Sequence, residues 1–205
     1  MNELDNFKFY CESMMIANED FKSVRNNVVR TIQNFITRLL AFLKRIMYNL
    51  YRIKKITIPK EIYQYIMDMD KALGVILQGM DTGKTGPDDA ATLLDMIKTN
   101  KKFTKIMYST EDAYKGSAYI DVNAGVFIKN MQAINKQLTS KQVELNNLEY
   151  SNGELEDDDS VALVDMYVKI LQQRLNVVNK VFTYHKNKSD VVPLNNATIV
   201  DEYRM

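Results

Sequence analysis

The segment from Phe21 to Lys55 constrains the fold more than any other, because it holds nine Lys and Arg residues and no Asp or Glu. At about 100° per residue its apolar side chains fall on one arc of roughly 160°, and its cations gather on the other side. The sequence therefore predicts one long basic amphipathic helix over residues 20–55. The apolar arc contains Val24, Val28, Ile32, Phe35, Ile36, Leu39, Leu40, Phe42, Leu43, Ile46, Met47, Leu50 and Ile53.

The cationic side of this helix is the candidate binding surface. It must meet water, acidic protein, phosphate or lipid headgroups. Residues 21–55 carry a net charge of +9, whereas residues 1–20 and residues 56–205 each carry −4. Neutralisation by the chain's own acids and binding of an external anionic partner are both open alternatives. The predicted anion-binding or partner-binding residues are Arg30, Arg38, Lys44, Arg45, Arg52 and Lys55.

Composition indicates a folded protein, since 46% of the 205 residues are hydrophobic and 26% are charged. The single cysteine, Cys11, excludes an internal disulfide and cannot form a zinc site with one histidine. The amino terminus contains Glu3 and Asp5 and no apolar signal segment, and the run Leu39–Leu43 is too short to span a bilayer. We expect a cytoplasmic location, in the host cell or in a virion if the protein is viral.

Proline, glycine and apolar spacing predict an all-α protein, a helical bundle of about five to six helices. A short helix over residues 5–15 and a turn at residues 18–20 should precede the basic helix. Pro59 and Pro87 suit the first turns of two further helices. The predicted inward residues of the first are Ile62, Ile66, Met69, Leu73, Ile76 and Met80. Those of the second are Leu93, Leu94 and Ile97, and this second helix could continue through Phe103, Ile106 and Met107.

Two apolar repeats in the last third of the chain predict an antiparallel helical hairpin over residues 118–185. We assign residues 1–185 to a single helical domain and residues 186–205 to an extended C-terminal tail. The first repeat is Ile120, Ala124, Phe127, Met131, Ile134, Leu138, Leu145 and Leu148, with Lys141 in one seam position, and the second is Val161, Val164, Val168, Leu171, Leu175, Val178 and Phe182, ending at His185.

Two motifs have the composition of ligand sites but the wrong spacing. Residues 79–85, GMDTGKT, are one residue short of a phosphate-binding loop and follow a predicted helix instead of a strand. The acidic residues of segment 154–159 lack the ligand spacing of a calcium-binding EF-hand loop. We therefore interpret the first as a helix connection and the second as the acidic start of a helix, with docking to a basic surface as the functional alternative for the second.

Two further features have simple structural interpretations. His185 has no second histidine or cysteine nearby, which favours a surface or helix-end position. The lysines at positions 98, 101, 102 and 105 have the spacing of a solvated helix face, although Phe103 among them would also suit single-stranded nucleic acid. No catalytic, metal or cofactor site is predicted, and we expect the protein not to be an enzyme.

Function is predicted only by class. Twelve methionines and twelve tyrosines suit interfaces, although codon bias could also produce them. The first hypothesis is a non-enzymatic helical structural or protein-interaction protein that binds a partner or itself. A small helical chain with this composition and without a recognisable motif is what we expect of a bacteriophage virion, assembly or host-interaction protein. The alternative is binding of nucleic acid or an anionic membrane surface through the basic helix.

Overall fold

The computed structural model describes residues 3–114, 116–149 and 156–191, and the side chains of all these residues except 3–25, 111–112, 149 and 156–158. Within these ranges the chain forms six α-helices and one small sheet, which confirms the all-α prediction. The elements are α1 (Glu3–Arg52), β1 (Lys55–Pro59), α2 (Lys60–Asp81), α3 (Pro87–Lys98), α4 (Lys101–Tyr108), β2 (Tyr119–Asn123), α5 (Ala124–Glu149) and α6 (Glu156–Tyr184), with short 3-10 turns at Glu111–Tyr114 and Lys188–Asp190.

Helix α1 packs antiparallel against α5. The Gln33 side-chain amide donates to Asn146 Oδ1 at 2.9 Å near one end of the contact. Gln132 donates to the Tyr51 hydroxyl at 3.3 Å near the other end. Because the later residue on α1 meets the earlier residue on α5, the two helices run in opposite directions.

Helices α5 and α6 form the predicted antiparallel hairpin, and α2 packs against α6. Lys141 lies over the ring of Tyr167, and Gln137, one turn earlier on α5, approaches Arg174, two turns later on α6. Helices α3 and α4 cover α2 and α6. The apolar repeats of α5 and α6 are buried along this contact, except that Leu148 is half-buried.

The apolar arc of α1 faces the core. Val28 is an exception, since it is 44% exposed and Val29 is buried in its place. Leu40, Phe42 and Met47 are half-buried at the edges of the arc. The side chain of Val24 lies outside the described residues. The buried members are Ile32, Phe35, Ile36, Leu39, Leu43, Ile46, Leu50 and, just past the helix, Ile53.

Residues 5–15 are helical as predicted, but the predicted turn at residues 18–20 is wrong, because one continuous helix, α1, covers Glu3–Arg52. The first 58 residues contain neither proline nor glycine, so nothing in them forces the helix to break. The local polar residues Asn18, Glu19 and Asp20 reduce helix propensity only modestly, and the helix continues through them.

The chain also forms a small sheet that its sequence did not predict. Strand β1 pairs antiparallel with β2, with Lys55 opposite Asn123 and Pro59 opposite Tyr119. Ile120, predicted as the first residue of a helical seam, therefore lies on a strand, and Lys55 lies on β1 and not on the basic helix. Both strands alternate polar and apolar residues over only five positions, which is a short period-2 signal.

The region between α2 and β2 differs in detail from the prediction. Thr99 and Asn100 separate α3 from α4, and the Asn100 side chain caps α4 by accepting from the backbone N–H of Lys102 at 2.8 Å. Leu94 is buried as predicted, but Leu93 is 40% exposed. Of the predicted tail, residues 192–205 lie outside the described part of the chain, and Lys188–Asp190 forms a 3-10 turn.

Tyr184, at the end of α6, anchors the end of α4. Its buried hydroxyl donates to the Ser109 carbonyl at 2.6 Å, and its ring packs edge-on against Tyr114 with centroids 5.7 Å apart. Burial, with a smaller contribution from Tyr114, raises the pKa of Tyr184 to about 12. The neutral phenol thus satisfies a carbonyl at the helix end, where no intrahelical donor exists.

Replacing Tyr184 with phenylalanine should lower the free energy of unfolding by about 1–2 kcal/mol, because the Ser109 carbonyl loses its donor. The raised pKa means that the unfolded chain ionises this tyrosine first as the pH rises. Its stabilising contribution is therefore complete below about pH 10 and falls as the pH approaches 12. Urea unfolding of the wild-type and Tyr184→Phe proteins should show a smaller difference in the free energy of unfolding above pH 10 than at neutral pH. A constant difference would contradict this assignment.

Candidate anion-binding face

The predicted cations of α1 form one exposed surface, which we call the cationic face: Arg30, Arg38, Lys44, Arg45 and Arg52. Arg38, Arg45 and Arg52 follow one another at seven-residue intervals, two helical turns or about 10.5 Å apart. Of the six predicted residues, only Lys55 lies off the helix. The structure therefore places five of them together on one side of α1.

The opposite side of α1 holds the cationic face in place. Leu39, Leu43 and Ile46 are fully buried against the rest of the bundle. Because buried side chains of this size fix the rotation of a helix about its axis, the cations cannot turn inward without exposing the core. The cationic face is accordingly a rigid surface.

Internal neutralisation, one of the two alternatives that the sequence left open, is observed for Lys55. Its ammonium lies 2.6 Å from the Asp121 carboxylate on β2, and this hydrogen bond lowers the pKa of Asp121. Lys44 and Arg45, in contrast, are exposed and form no ion pair with any residue the structure describes. The cationic face thus retains charge that the described part of the chain does not neutralise.

Aromatic side chains lie beside these cations. Tyr48 and Tyr51 are 59% and 60% exposed, and the Arg52 guanidinium lies 5.5 Å from the centre of the Tyr48 ring. Arginine next to exposed tyrosine is typical of protein interfaces, in which both residue types are enriched. This part of α1 offers charge and apolar contact area together.

The other sequence motifs do not form sites among the described residues. The GMDTGKT segment is the end of α2 and the loop that follows it. A Cβ on Gly79 would lie 2.3 Å from Thr85 Oγ1, so glycine is needed there for the loop to fold back closely. This close packing explains the glycine without a phosphate ligand.

The lysine run of α3 and α4 is partly neutralised. Lys102 pairs with Asp68 at 2.8 Å, and Lys105 pairs with Glu61 at 3.1 Å. Hydrogen bonds from Tyr65 and from Lys105 lower the pKa of Glu61. The run is a solvated face with acidic partners on α2, as the sequence favoured.

The acidic segment 154–159 lies largely outside the described residues, and α6 begins within it at Glu156. The side chain of Cys11 is also outside them. Over the side chains that the structure describes, no cluster of three His, Cys, Asp or Glu residues could hold a metal ion.

His185 lies at a helix end, as predicted, but it is not on the surface. Only 1% of it is exposed, and its Nδ1 accepts a hydrogen bond from the Thr57 backbone N–H at 3.1 Å. The bond connects β1 to the residue after α6. A histidine with one nitrogen fixed by the backbone is a structural link between these elements.

A buried ion pair that was not predicted from the sequence connects α2 and α6. Arg174 Nε lies 2.9 Å from Asp70 Oδ1, and the second guanidinium nitrogen lies 3.1 Å from Oδ2, which also accepts from Asn130 at 3.3 Å. Each charged residue lies within the apolar stripe of its own helix, and that is the signal that could have found it. The stripe alone does not say which two helices meet.

Comparisons of the chain with protein families, with curated proteins and with solved structures find no match. No helix over the described residues is long and apolar enough to cross a membrane. The fold and the cationic face therefore carry the functional argument.

Proposed function

We propose that this protein is non-enzymatic and works by contact, as a helical assembly or interaction protein whose cationic face binds an acidic protein surface. A second copy carries five acidic residues close together in sequence, and we propose these as the partner of the cationic face: Glu154, Glu156, Asp157, Asp158 and Asp159. A bacteriophage virion component or a host-interaction factor would have this kind of function.

The observation that carries the proposal is the unneutralised charge on a rigid helix. Lys44 and Arg45 have no acidic partner among the described residues, and no acid occurs between residues 21 and 55. Tyr48 and Tyr51 add exposed aromatic area beside them. Charge complementarity of this kind steers and orients a protein partner, and tyrosine and arginine supply the contact energy.

Nucleic acid is the second candidate partner. Leu39, Leu43 and Ile46 are fully buried, as expected for a helix that meets phosphate through its cations alone. A membrane surface is less well supported, because insertion into lipid would need these same side chains to leave the core. The cationic face could still meet anionic headgroups by charge.

The test is size-exclusion chromatography with light scattering at low and high salt, with and without duplex DNA. The wild-type protein should form an oligomer at low salt. The double reversal Lys44→Glu/Arg45→Glu should raise its dissociation constant at least about tenfold, because attraction to the acidic segment becomes repulsion. Strong DNA binding by a monomer would instead favour the second candidate.

A matched control carries the same change in net charge. Lys98→Glu/Lys101→Glu reverses two exposed lysines on α3 and α4 that have no ion pair with a described residue. This variant should self-associate like the wild-type protein. Equal loss of self-association in both variants would show an effect of net charge alone. A wild-type protein that stays monomeric at every salt and protein concentration would overturn self-association through the cationic face.

A further inference from the structure

A polar cavity of about 480 Å³ lies where the end of α1 and β1 meet the segment that follows α6. Its volume is within the range of roughly 300–1,000 Å³ that small-molecule sites occupy. Two separate stretches of chain form its walls. The lining residues are Arg52, Ile53, Lys54, Lys55 and Thr57 from the first stretch, and Asn187, Ser189 and Asp190 from the second.

One wall of the cavity is cationic. Arg52, Lys54 and Lys55 lie within four residues of one another at the point where α1 ends and β1 begins. Lys54 forms no ion pair with a described residue, whereas Lys55 also contacts Asp121. Asp121 neutralises Lys55, so Arg52 and Lys54 supply the available positive charge of this concave surface, which favours an anionic ligand group such as a phosphate ester.

The other wall offers uncharged hydrogen-bonding groups and one carboxylate. Asn187 can donate and accept, Ser189 contributes a hydroxyl, and Asp190 only accepts when ionised. A carboxylate repels phosphate but accepts hydrogen bonds from sugar hydroxyls. The two walls therefore suit the two ends of one ligand, an anionic end and a hydroxyl-bearing end.

Two hydrogen bonds connect the two walls. The Lys186 backbone N–H donates to the Thr57 carbonyl at 2.9 Å, and the Thr57 N–H donates to His185 Nδ1 at 3.1 Å. His185 Nδ1 also lies 3.3 Å from the Thr57 carbonyl oxygen, whereas Nε2 is buried without a hydrogen-bond partner and lies 3.9 Å from Asp190 Oδ2. A buried polar atom without a partner, next to a residue of the cavity wall, is unusual for a purely structural region.

We infer that this cavity binds a small phosphorylated sugar or polyol, with the phosphate at Arg52 and Lys54 and the hydroxyls at Asn187, Ser189 and Asp190. This site is additional to the proposed protein-binding function. It differs from the cationic face in requiring Lys54 and the segment after α6.

Isothermal titration of the full-length protein with glucose 6-phosphate, inorganic phosphate and glucose tests the inference. Glucose 6-phosphate should bind saturably and at least about tenfold more tightly than inorganic phosphate, and glucose should not bind measurably. Lys54→Ala should weaken glucose 6-phosphate binding at least about tenfold, because one of the two unpaired cations of the cavity is lost. Ser189→Ala should weaken it severalfold while leaving phosphate binding unchanged.

Lys44→Ala is the matched control, since it removes an exposed lysine from the same helix two turns before Arg52. Its affinity for glucose 6-phosphate should stay within about twofold of the wild-type value. Equal affinities for the sugar phosphate and inorganic phosphate would overturn the assignment of the hydroxyl wall. Absence of saturable binding, or equal losses in the Lys54 and Lys44 variants, would overturn the site itself, whatever the outcome for self-association.

Discussion

Replacing Arg174 with leucine is expected to lower the free energy of unfolding by about 3–5 kcal/mol. The guanidinium makes two hydrogen bonds to Asp70, at 2.9 and 3.1 Å, and the two side chains are 11% and 9% exposed. Without Arg174 the Asp70 carboxylate would remain inside the bundle with only the Asn130 amide as a described donor. The loss comes mainly from that uncompensated charge, since a leucine fills much of the same volume.

A double variant separates the unpaired charge from the value of the ion pair. Asp70→Leu/Arg174→Leu removes both charges and should recover most of the stability that Arg174→Leu loses, because a buried ion pair and an apolar pair of similar volume are often nearly equal in stability. Urea unfolding followed by circular dichroism measures both variants. Equal instability of the double and single variants would contradict this explanation. It would show that the ion pair itself stabilises the contact between α2 and α6, and that the unpaired Asp70 charge is not the cause of the loss.

The helical part of this fold could be predicted because each helix carries its own signal. The stripe from Ile62 to Met80 on α2 and the repeat from Val161 to Phe182 on α6 are both buried as predicted. The 3.6-residue spacing of apolar residues is a local property of the sequence, so it can be recognised without knowing which helix packs against it. The same reasoning placed five of the six predicted cations correctly on the outer side of α1.

The sheet and the cavity depend on contacts between distant parts of the chain. β1 and β2 have five residues each and are about sixty residues apart in the sequence. An alternation over five positions is too short to distinguish a strand from the end of a helix. The cavity brings Lys54 near Ser189, which no local pattern can predict. His185 could be placed at a helix end from the sequence, but its burial follows from the hydrogen bond to Thr57.

The predicted break near residues 18–20 shows a different limit. Asn18 and Asp20 are typical N-cap residues and Glu19 suits a first helical turn, so their presence suggested a new helix start. Capping residues stabilise a helix end but do not create one. Without a proline or glycine in the segment, α1 continues through them, so capping residues predict a boundary only when a residue that breaks the helix accompanies them.

Replacing Leu43 with alanine should lower the free energy of unfolding by about 2–5 kcal/mol, because the side chain is fully buried and its removal leaves a cavity. Leu43 lies on α1 opposite the cationic face, next in sequence to Lys44. Chemical unfolding of the full-length protein gives the size of the effect. The result measures how firmly α1 is held in the bundle.

Val28→Ala on the same helix is the control, since Val28 is 44% exposed and its truncation should cost no more than about 0.5 kcal/mol. A small effect at both positions would mean that α1 is not packed in solution, and that its apolar arc is available to lipid or to a partner. The cationic face would then no longer be a rigid surface. A large effect at Leu43 alone would show that the leucines and isoleucines of α1 are buried in the core. The helix would then bind a partner through its charged residues and exposed tyrosines.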